Sequence, residues 1–255
     1  MVSDERGGDF EGKVVMVTGA ARGIGKSTAL AFSREGATVV LVDVLERELE
    51  TLHGMIQKRG KDSFYVKADV SDYSQVGHVV EQSENRFGRI DVLVNNAGID
   101  PGSAPVVEVT EENWGRALDI NLNSVFFFCK RVVPVMLKQG TGSIVNVASI
   151  AGKEPNIHMA PYAVSKAGVI CLTKVLAKEV ARDGIRVNAI APGLTKTGLL
   201  DHLSPEQFNH LLEKIPMGRV GDPEETADLI CFLASEKASF ITGQCFNIAG
   251  GRGEY

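Results

Sequence analysis

Seven short runs recur along this chain, at Val14 to Thr18, Thr38 to Asp43, Ser63 to Lys67, Ile90 to Asn95, Ser143 to Ala148, Arg186 to Ile190 and Gln244 to Ile248. They are β-rich and mostly apolar throughout, and longer amphipathic stretches fill the intervals. A strand that alternates apolar and polar residues covers one face; a strand apolar at nearly every position is buried on both. Strands of this kind, regularly separated by helix-length segments, predict an α/β fold: a doubly wound parallel sheet of about seven strands, with helices on both faces and right-handed crossovers. Ligands bind to such sheets at the carboxyl ends of the strands. No internal repeat, low-complexity segment or linker interrupts the pattern. With 255 residues, 44% of them hydrophobic, residues 1–255 read as a single domain. Residues 1–12 are polar and charged and read as a flexible arm.

Composition removes several classes of function. A net charge of −5, with Lys and Arg spread along the sequence, supplies no basic field for nucleic acid. Nowhere do eighteen apolar residues run together, and the N-terminus has no apolar leader, so no membrane contact is expected and a cytoplasmic location is. Cys129, Cys171, Cys231 and Cys245 form no Cys-x-x-Cys pair and read as reduced thiols among apolar neighbours. The five histidines lack ligand spacing, and no metal site is expected.

Two stretches carry chemistry. The first, Thr18-Gly19-Ala20-Ala21-Arg22-Gly23-Ile24-Gly25, leaves a strand and opens a helix. Glycines there let the backbone turn tightly and approach a pyrophosphate, whose charge meets free N–H groups at the helix N-terminus. Asp43, at the end of the next strand, stands where an acidic side chain bonds the hydroxyls of an adenosine ribose. This is the Rossmann-like pattern, with the spacing Gly-x-x-x-Gly-x-Gly in place of the commoner Gly-x-Gly-x-x-Gly. The second stretch runs from Ser149, at the end of a buried strand, through a loop to Pro161, Tyr162 and Lys166 at the start of a helix. Four residues apart, Tyr162 and Lys166 share a helix face. An ammonium beside a phenol favours phenolate, so a lowered tyrosine pKa is expected, and with it a proton acid and base usable near neutrality.

Together these features resemble the short-chain dehydrogenase/reductase family over nearly the whole chain. Thr18 to Gly25 matches its glycine-rich loop, Asp69-Val70 its adenine contact, Asn95-Asn96-Ala97-Gly98 its fourth-strand motif, and Pro192-Gly193 with Thr195 its nicotinamide segment. Asn121, Ser149, Tyr162 and Lys166 match its catalytic tetrad. The resemblance implies cofactor binding by Gly19, Arg22, Gly23, Ile24, Gly25, Asp43, Asp69, Val70, Asn95, Ala97, Gly98, Tyr162, Lys166, Pro192, Gly193 and Thr195. In the tetrad, Ser149 bonds the substrate oxygen, Tyr162 exchanges a proton with it, and Lys166 holds the cofactor ribose and relays protons through a water positioned by Asn121. Ala148, where many members carry serine, and Ala249, where an aspartate is frequent, are small departures that remove no catalytic group.

The expected activity is therefore reversible hydride transfer between NAD(H) and a small secondary alcohol or ketone. Asp43 favours NAD, by repelling the extra phosphate of NADP. An NADPH-dependent 3-oxoacyl-(acyl-carrier-protein) reductase is the alternative, and a non-catalytic nucleotide-sensing scaffold a third. Residues 194–217, with apolar positions near helical spacing, read as a substrate lid, and Lys153, His158 and Lys196 as groups that meet a polar end of the substrate. The apolar stretches from Ser124 to Leu137 and from Tyr162 to Asp183 suggest a two-fold interface. The resemblance extends it to a homotetramer, with a homodimer as fallback.

Overall fold

The computed structural model describes residues 8–198 and 204–253. Seven parallel strands form one sheet in the order β3-β2-β1-β4-β5-β6-β7. They are β1 (Val14–Thr18), β2 (Thr38–Asp43), β3 (Ser63–Lys67), β4 (Val92–Asn95), β5 (Gly142–Val147), β6 (Ile185–Pro192) and β7 (Cys245–Ile248). The helices are α1 (Gly23–Arg34), α2 (Glu46–Gln57), α3 (Tyr73–Phe87), α4 (Glu111–Leu118), α5 (Ser124–Gln139), α6 (Ala160–Val180), α7 (Pro205–Glu213) and α8 (Pro223–Ala234). All seven expected strands are present.

The pleat explains why the strands are apolar throughout. Met16, Val40, Leu93, Ile144 and Val187 face a core completed by Val79 of α3, Phe128 of α5 and Val169 of α6. Their neighbours Val15, Val17, Leu41, Val94 and Val145 face the opposite core, with Phe32 of α1, Leu52 of α2 and Ile230 of α8. Alternate side chains point to opposite faces, and both faces are covered. The chain winds outward from β1 in one direction through β2 and β3, and in the other through β4 to β7, so a crevice opens at the carboxyl ends of β1 and β4. Helical stretches 111–139 and 160–183 are long and apolar enough to cross a membrane. Here they supply Val125, Phe128, Val132, Val169, Ile170 and Ala177 to the first core, and that burial accounts for their composition.

One expectation changes, and another lies partly outside the described residues. The arm was expected to be loose to residue 12, but Phe10 is buried and packs edge-on against Phe32 at 4.7 Å, while Asp9 pairs with Lys237. One aromatic ring supplies enough apolar area to hold an otherwise polar segment. Of the stretch 194–217, residues 199–203 lie outside the described residues. Beyond them α7 runs to Glu213, Ile215 is buried, and the Met217 N–H donates to the Gly250 carbonyl at 3.0 Å.

At the amino ends of the strands, away from the crevice, Asp91 is buried and accepts from the Val14 N–H at 2.9 Å and from Arg89 at 2.8 and 2.5 Å. It thereby staples the start of β1 to the start of β4. Asp91→Ala leaves that N–H and the guanidinium without their acceptor, and an expected loss of about 2–3 kcal/mol is checked by the urea unfolding midpoint.

Candidate active site

The glycine-rich loop is shaped by the fourth strand. The Asn96 side chain donates to the carbonyls of Thr18 at 2.9 Å and Gly19 at 3.1 Å. The Thr18 hydroxyl accepts from the N–H groups of Asn96 and Ala97 at 3.0 and 3.1 Å. Gly25 is obligatory, because a Cβ there would lie 2.1 Å from the Gly19 carbonyl oxygen. Arg22 is extended and exposed at the N-cap of α1, and no side chain caps that helix, so its first-turn N–H groups are donors suited to an anion. Both oxygens of Asp43, at the end of β2, are held: one accepts from the Ala21 N–H at 3.0 Å, the other from the Leu45 N–H at 3.1 Å. A fixed carboxylate on one strand and uncapped N–H groups on the next fit a dinucleotide. Gly23 and Ile24 open α1. Val70 is buried beyond β3, and Asp69 accepts from the Ser71 N–H and hydroxyl at 2.9 and 2.6 Å, shaping its own turn. Pro192 closes β6, the Gly193 N–H donates to the Ile248 carbonyl at 2.9 Å, and the Thr195 hydroxyl donates to Gly193 at 3.3 Å.

Not every expected cofactor residue faces the crevice. The Asn95 side chain is buried and donates to the side-chain Oδ1 of Asn146 at 2.8 Å, tying β4 to β5 inside the core.

The four candidate catalytic residues converge from separate elements. Ser149 follows β5, Tyr162 and Lys166 stand in the first turns of α6, and Asn121 lies in a wide turn, Asp119–Asn123, between α4 and α5. The hydroxyl of Ser149 stands close enough to the phenol of Tyr162 to lower its pKa. The Lys166 amine donates to the Val147 carbonyl at 2.8 Å and stands 5.9 Å from the centre of the Tyr162 ring. Gly98 fits against both remaining groups: a Cβ there would lie 3.2 Å from Asn121 Oδ1 and 3.2 Å from Lys166 Nζ. Asn121 is pinned by the backbone of Ile99, accepting at 2.8 Å and donating at 2.9 Å, and donates to the Ser165 hydroxyl at 3.1 Å. Ser165 in turn donates to the Tyr162 carbonyl at 2.7 Å. Ser165 and Asn96 were not singled out from the sequence; each sits inside a motif already read, adjacent to a selected residue.

The expected lowering of the Tyr162 pKa is not present in this structure. Burial pushes the phenol up, and the nearby Ser149 hydroxyl opposes it only in part. Burial also pulls the Lys166 amine down to about 8. Helical spacing brings the two residues to one face, but the amine is bonded to the Val147 carbonyl. The lysine shift has a checkable sign. The unfolded chain keeps this proton up to about 10.5 and the folded chain releases it near 8, so between these values the unfolded state binds more protons and rising pH favours folding. In nucleotide-free protein, the stability difference between parent and Lys166→Met should therefore shift toward the parent with rising pH, by at most about 1.4 kcal/mol per pH unit in the middle of that window and about half that at its ends. Urea midpoints at pH 8 and 9 measure it.

The three groups assigned to a polar end of the substrate do not come together. Lys153 is tied to β7, donating to the Cys245 carbonyl at 2.9 Å and to Asn247 Oδ1 at 2.7 Å. Lys196 lines a separate hollow of about 430 Å³ with Gly23, Lys26 and Glu224. His158 is exposed at a positive φ of 68°, its carbonyl accepting from the Ala104 N–H at 2.9 Å. Loop residues that share a region of sequence can belong to different walls once strand order is known.

Comparison with known proteins agrees with this geometry. Residues 19–252 match the family model described as Enoyl-(Acyl carrier protein) reductase. The chain is 48% identical over 243 residues to the 3-oxoacyl-(acyl-carrier-protein) reductase of Thermotoga maritima, covering 95% of this chain and 98% of that one. The chain belongs to the short-chain dehydrogenase/reductase family. Another such relative, the 2-dehydro-3-deoxy-L-rhamnonate dehydrogenase (NAD(+)) of a Sphingomonas species, is 42% identical over 246 residues, covering 96% of this chain and 97% of that one. The crystal structure of levodione reductase superposes with a TM-score of 0.91 at 36% identity, covering 95% of this chain and 98% of that one. As a short-chain dehydrogenase/reductase, the chain is an oxidoreductase of alcohol or ketone substrates that uses a nicotinamide cofactor.

Proposed function

We propose that this chain is an NAD(H)-dependent dehydrogenase or ketoreductase of a small secondary alcohol or ketone. The observation that carries the reading is the convergence of Ser149, Tyr162 and Lys166 where β5 meets α6: the Ser149 hydroxyl lies close to the Tyr162 phenol, and Lys166, one helical turn on, is bonded to Val147. When bound, the nicotinamide supplies or accepts the hydride and, oxidised, adds positive charge beside the phenol. Ser149 holds the substrate oxygen, and Tyr162 exchanges the proton that this oxygen loses or gains. In the reductive direction a phenol kept protonated by burial is already the form that donates. In the oxidative direction the Lys166 charge favours the phenolate. Asn121, braced by Ser165 and the Ile99 backbone, is the proposed anchor for the proton path to Lys166, and residues 194–217 are the proposed cover over the substrate.

The cofactor residues we propose are the loop from Gly19 to Gly25, Asp43, the Asp69-Val70 turn, Ala97-Gly98 and the Pro192 to Thr195 segment. Asp43 supports NAD over NADP. The exposed apolar side chains Phe126 on α5 and Val164 and Val175 on α6 support self-association, which we propose is a homotetramer. The identity to 3-oxoacyl-(acyl-carrier-protein) reductases favours the second reading, an NADPH-dependent reductase of carrier-bound thioesters. Initial rates with both cofactors, on a panel of secondary alcohols and on a carrier-bound 3-oxoacyl thioester, separate the two. Turnover of the thioester alone, with NADPH, would replace the first reading by the second.

A further inference from the structure

The loop that leaves Ser149 and enters α6 gathers charge from two distant segments. Asn156, in that loop, accepts at its side-chain oxygen from Lys214, just past the end of α7, and from Arg252, in the turn beyond β7, each at 3.2 Å. The two cations therefore stand within twice that distance of each other. Lys153 adds a third positive charge to the same wall, anchored to Cys245 and Asn247 on β7. Among the described residues, neither Lys214 nor Arg252 is in an ion pair, although Glu154 contributes negative charge around Arg252. A neutral amide oxygen satisfies donors but cancels no charge. Arg252 is half-buried, and burial there disfavours its charged form. Two like charges converging at a partly desolvated point are stabilised by an anion. A planar guanidinium fork beside a point ammonium suits a carboxylate.

The place of this cluster says what the anion belongs to. β5, β6 and β7 are neighbours in the sheet, Ser149 follows the first and Arg252 the last. The next residue, Gly253, backs onto Ile150, where a Cβ would meet Ile150 Cδ1 at 2.5 Å. β5 and β7 are two strand spacings apart, roughly 10 Å, a span that a short carbon chain with a hydrogen bond of about 3 Å at each end crosses. We propose that Lys214 and Arg252, joined at Asn156, form a carboxylate-binding subsite, and that the substrate is a short oxo- or hydroxy-acid. This rests on the assignment of Ser149 and Tyr162 made above.

The test compares butanoate with butanamide, identical but for the charge, by titration calorimetry with NAD present. The parent is expected to bind the acid at least ~10-fold more tightly. Arg252→Gln should abolish that preference and Lys214→Gln reduce it, each with melting monitored; Lys214 is exposed, so its replacement does not threaten folding. Tyr162→Phe should retain the preference, because the subsite does not use the phenol. Equal binding of acid and amide by the parent, or a preference unchanged in both charge variants, overturns the proposal. A chain ending at Gly253 distinguishes the source of the carboxylate: if the acid binds only after Glu254 and Tyr255 are removed, a carboxylate of the chain itself fills the subsite and the proposal fails. Absence of turnover across the alcohol panel would remove the dehydrogenase reading instead, while the acid preference is read by binding alone.

Discussion

Tyr162→Phe is expected to lower turnover by roughly 10²–10⁴-fold while nucleotide affinity and melting temperature stay near the parent's. The ring and its packing survive, and only the hydroxyl, which lies close to that of Ser149, is lost. Because the group acts on the substrate oxygen in the transition state, the loss should fall on kcat, with little change in the KM for nucleotide. The ordinary pH dependence of the parent should disappear with it, since burial holds this phenol protonated and oxidation requires its proton to leave. In the parent, oxidation therefore accelerates as pH rises and reduction does not. Steady-state rates in both directions from pH 6 to 10 check both statements. A phenylalanine variant that keeps most of its activity on a good substrate would remove Tyr162 from the chemistry.

Asp43 is expected to set the second large effect, a preference for NAD over NADP of about 10²-fold or more in kcat/KM. At about 4 Å and an effective dielectric near 20, two unit charges repel by roughly 4 kcal/mol, which solvent screening reduces. The carboxylate cannot turn aside cheaply, because backbone N–H groups of Ala21 and Leu45 hold both of its oxygens. Arg22, exposed at the N-cap of α1, is the side chain that favours a 2′-phosphate, but it is not fixed in the way Asp43 is. Val44 is exposed and cannot pair with phosphate. Asp43→Ala should relax the preference, and Asp43→Ser with Val44→Arg should reverse it. Comparison of kcat/KM for the two cofactors on one substrate reads the outcome directly. A parent that prefers NADP would show that Arg22 outweighs Asp43.

The sheet was legible because its signal is short-range: apolar runs of five or six residues with helix-length gaps admit few other arrangements. The grouping of Ser149, Tyr162 and Lys166 was legible for a similar reason, as Tyr162 and Lys166 are one turn apart and Ser149 follows a strand, whereas Asn121 was named only through the family resemblance. What escaped depends on contacts between distant segments. The carbonyl of Val147 takes the Lys166 amine, and nothing four residues from Tyr162 announces that. Lys153 looked available for substrate, yet β7, more than ninety residues later, claims it. Asn95 lies in a motif read as cofactor-binding, but its side chain is spent on Asn146. A polar loop at the N-terminus read as loose until Phe10 met Phe32. Periodicity reports which face a residue occupies, and the identity of its partner is settled only by strand order.

The staple at Asp91 marks the amino-terminal rim of the sheet, which carries none of the candidate site. On that side the chain turns at Gly60, Gly88 and Gly140, where a Cβ would meet nothing within 4 Å. These corners are entry points for engineering. A tag, a fused reporter or relocated chain termini could be inserted there without reshaping the crevice, provided that Asp91 keeps its hold on Val14. Ease of modification and chemistry thus occupy opposite rims of one sheet, and a library aimed at new substrates can confine its diversity to the other rim.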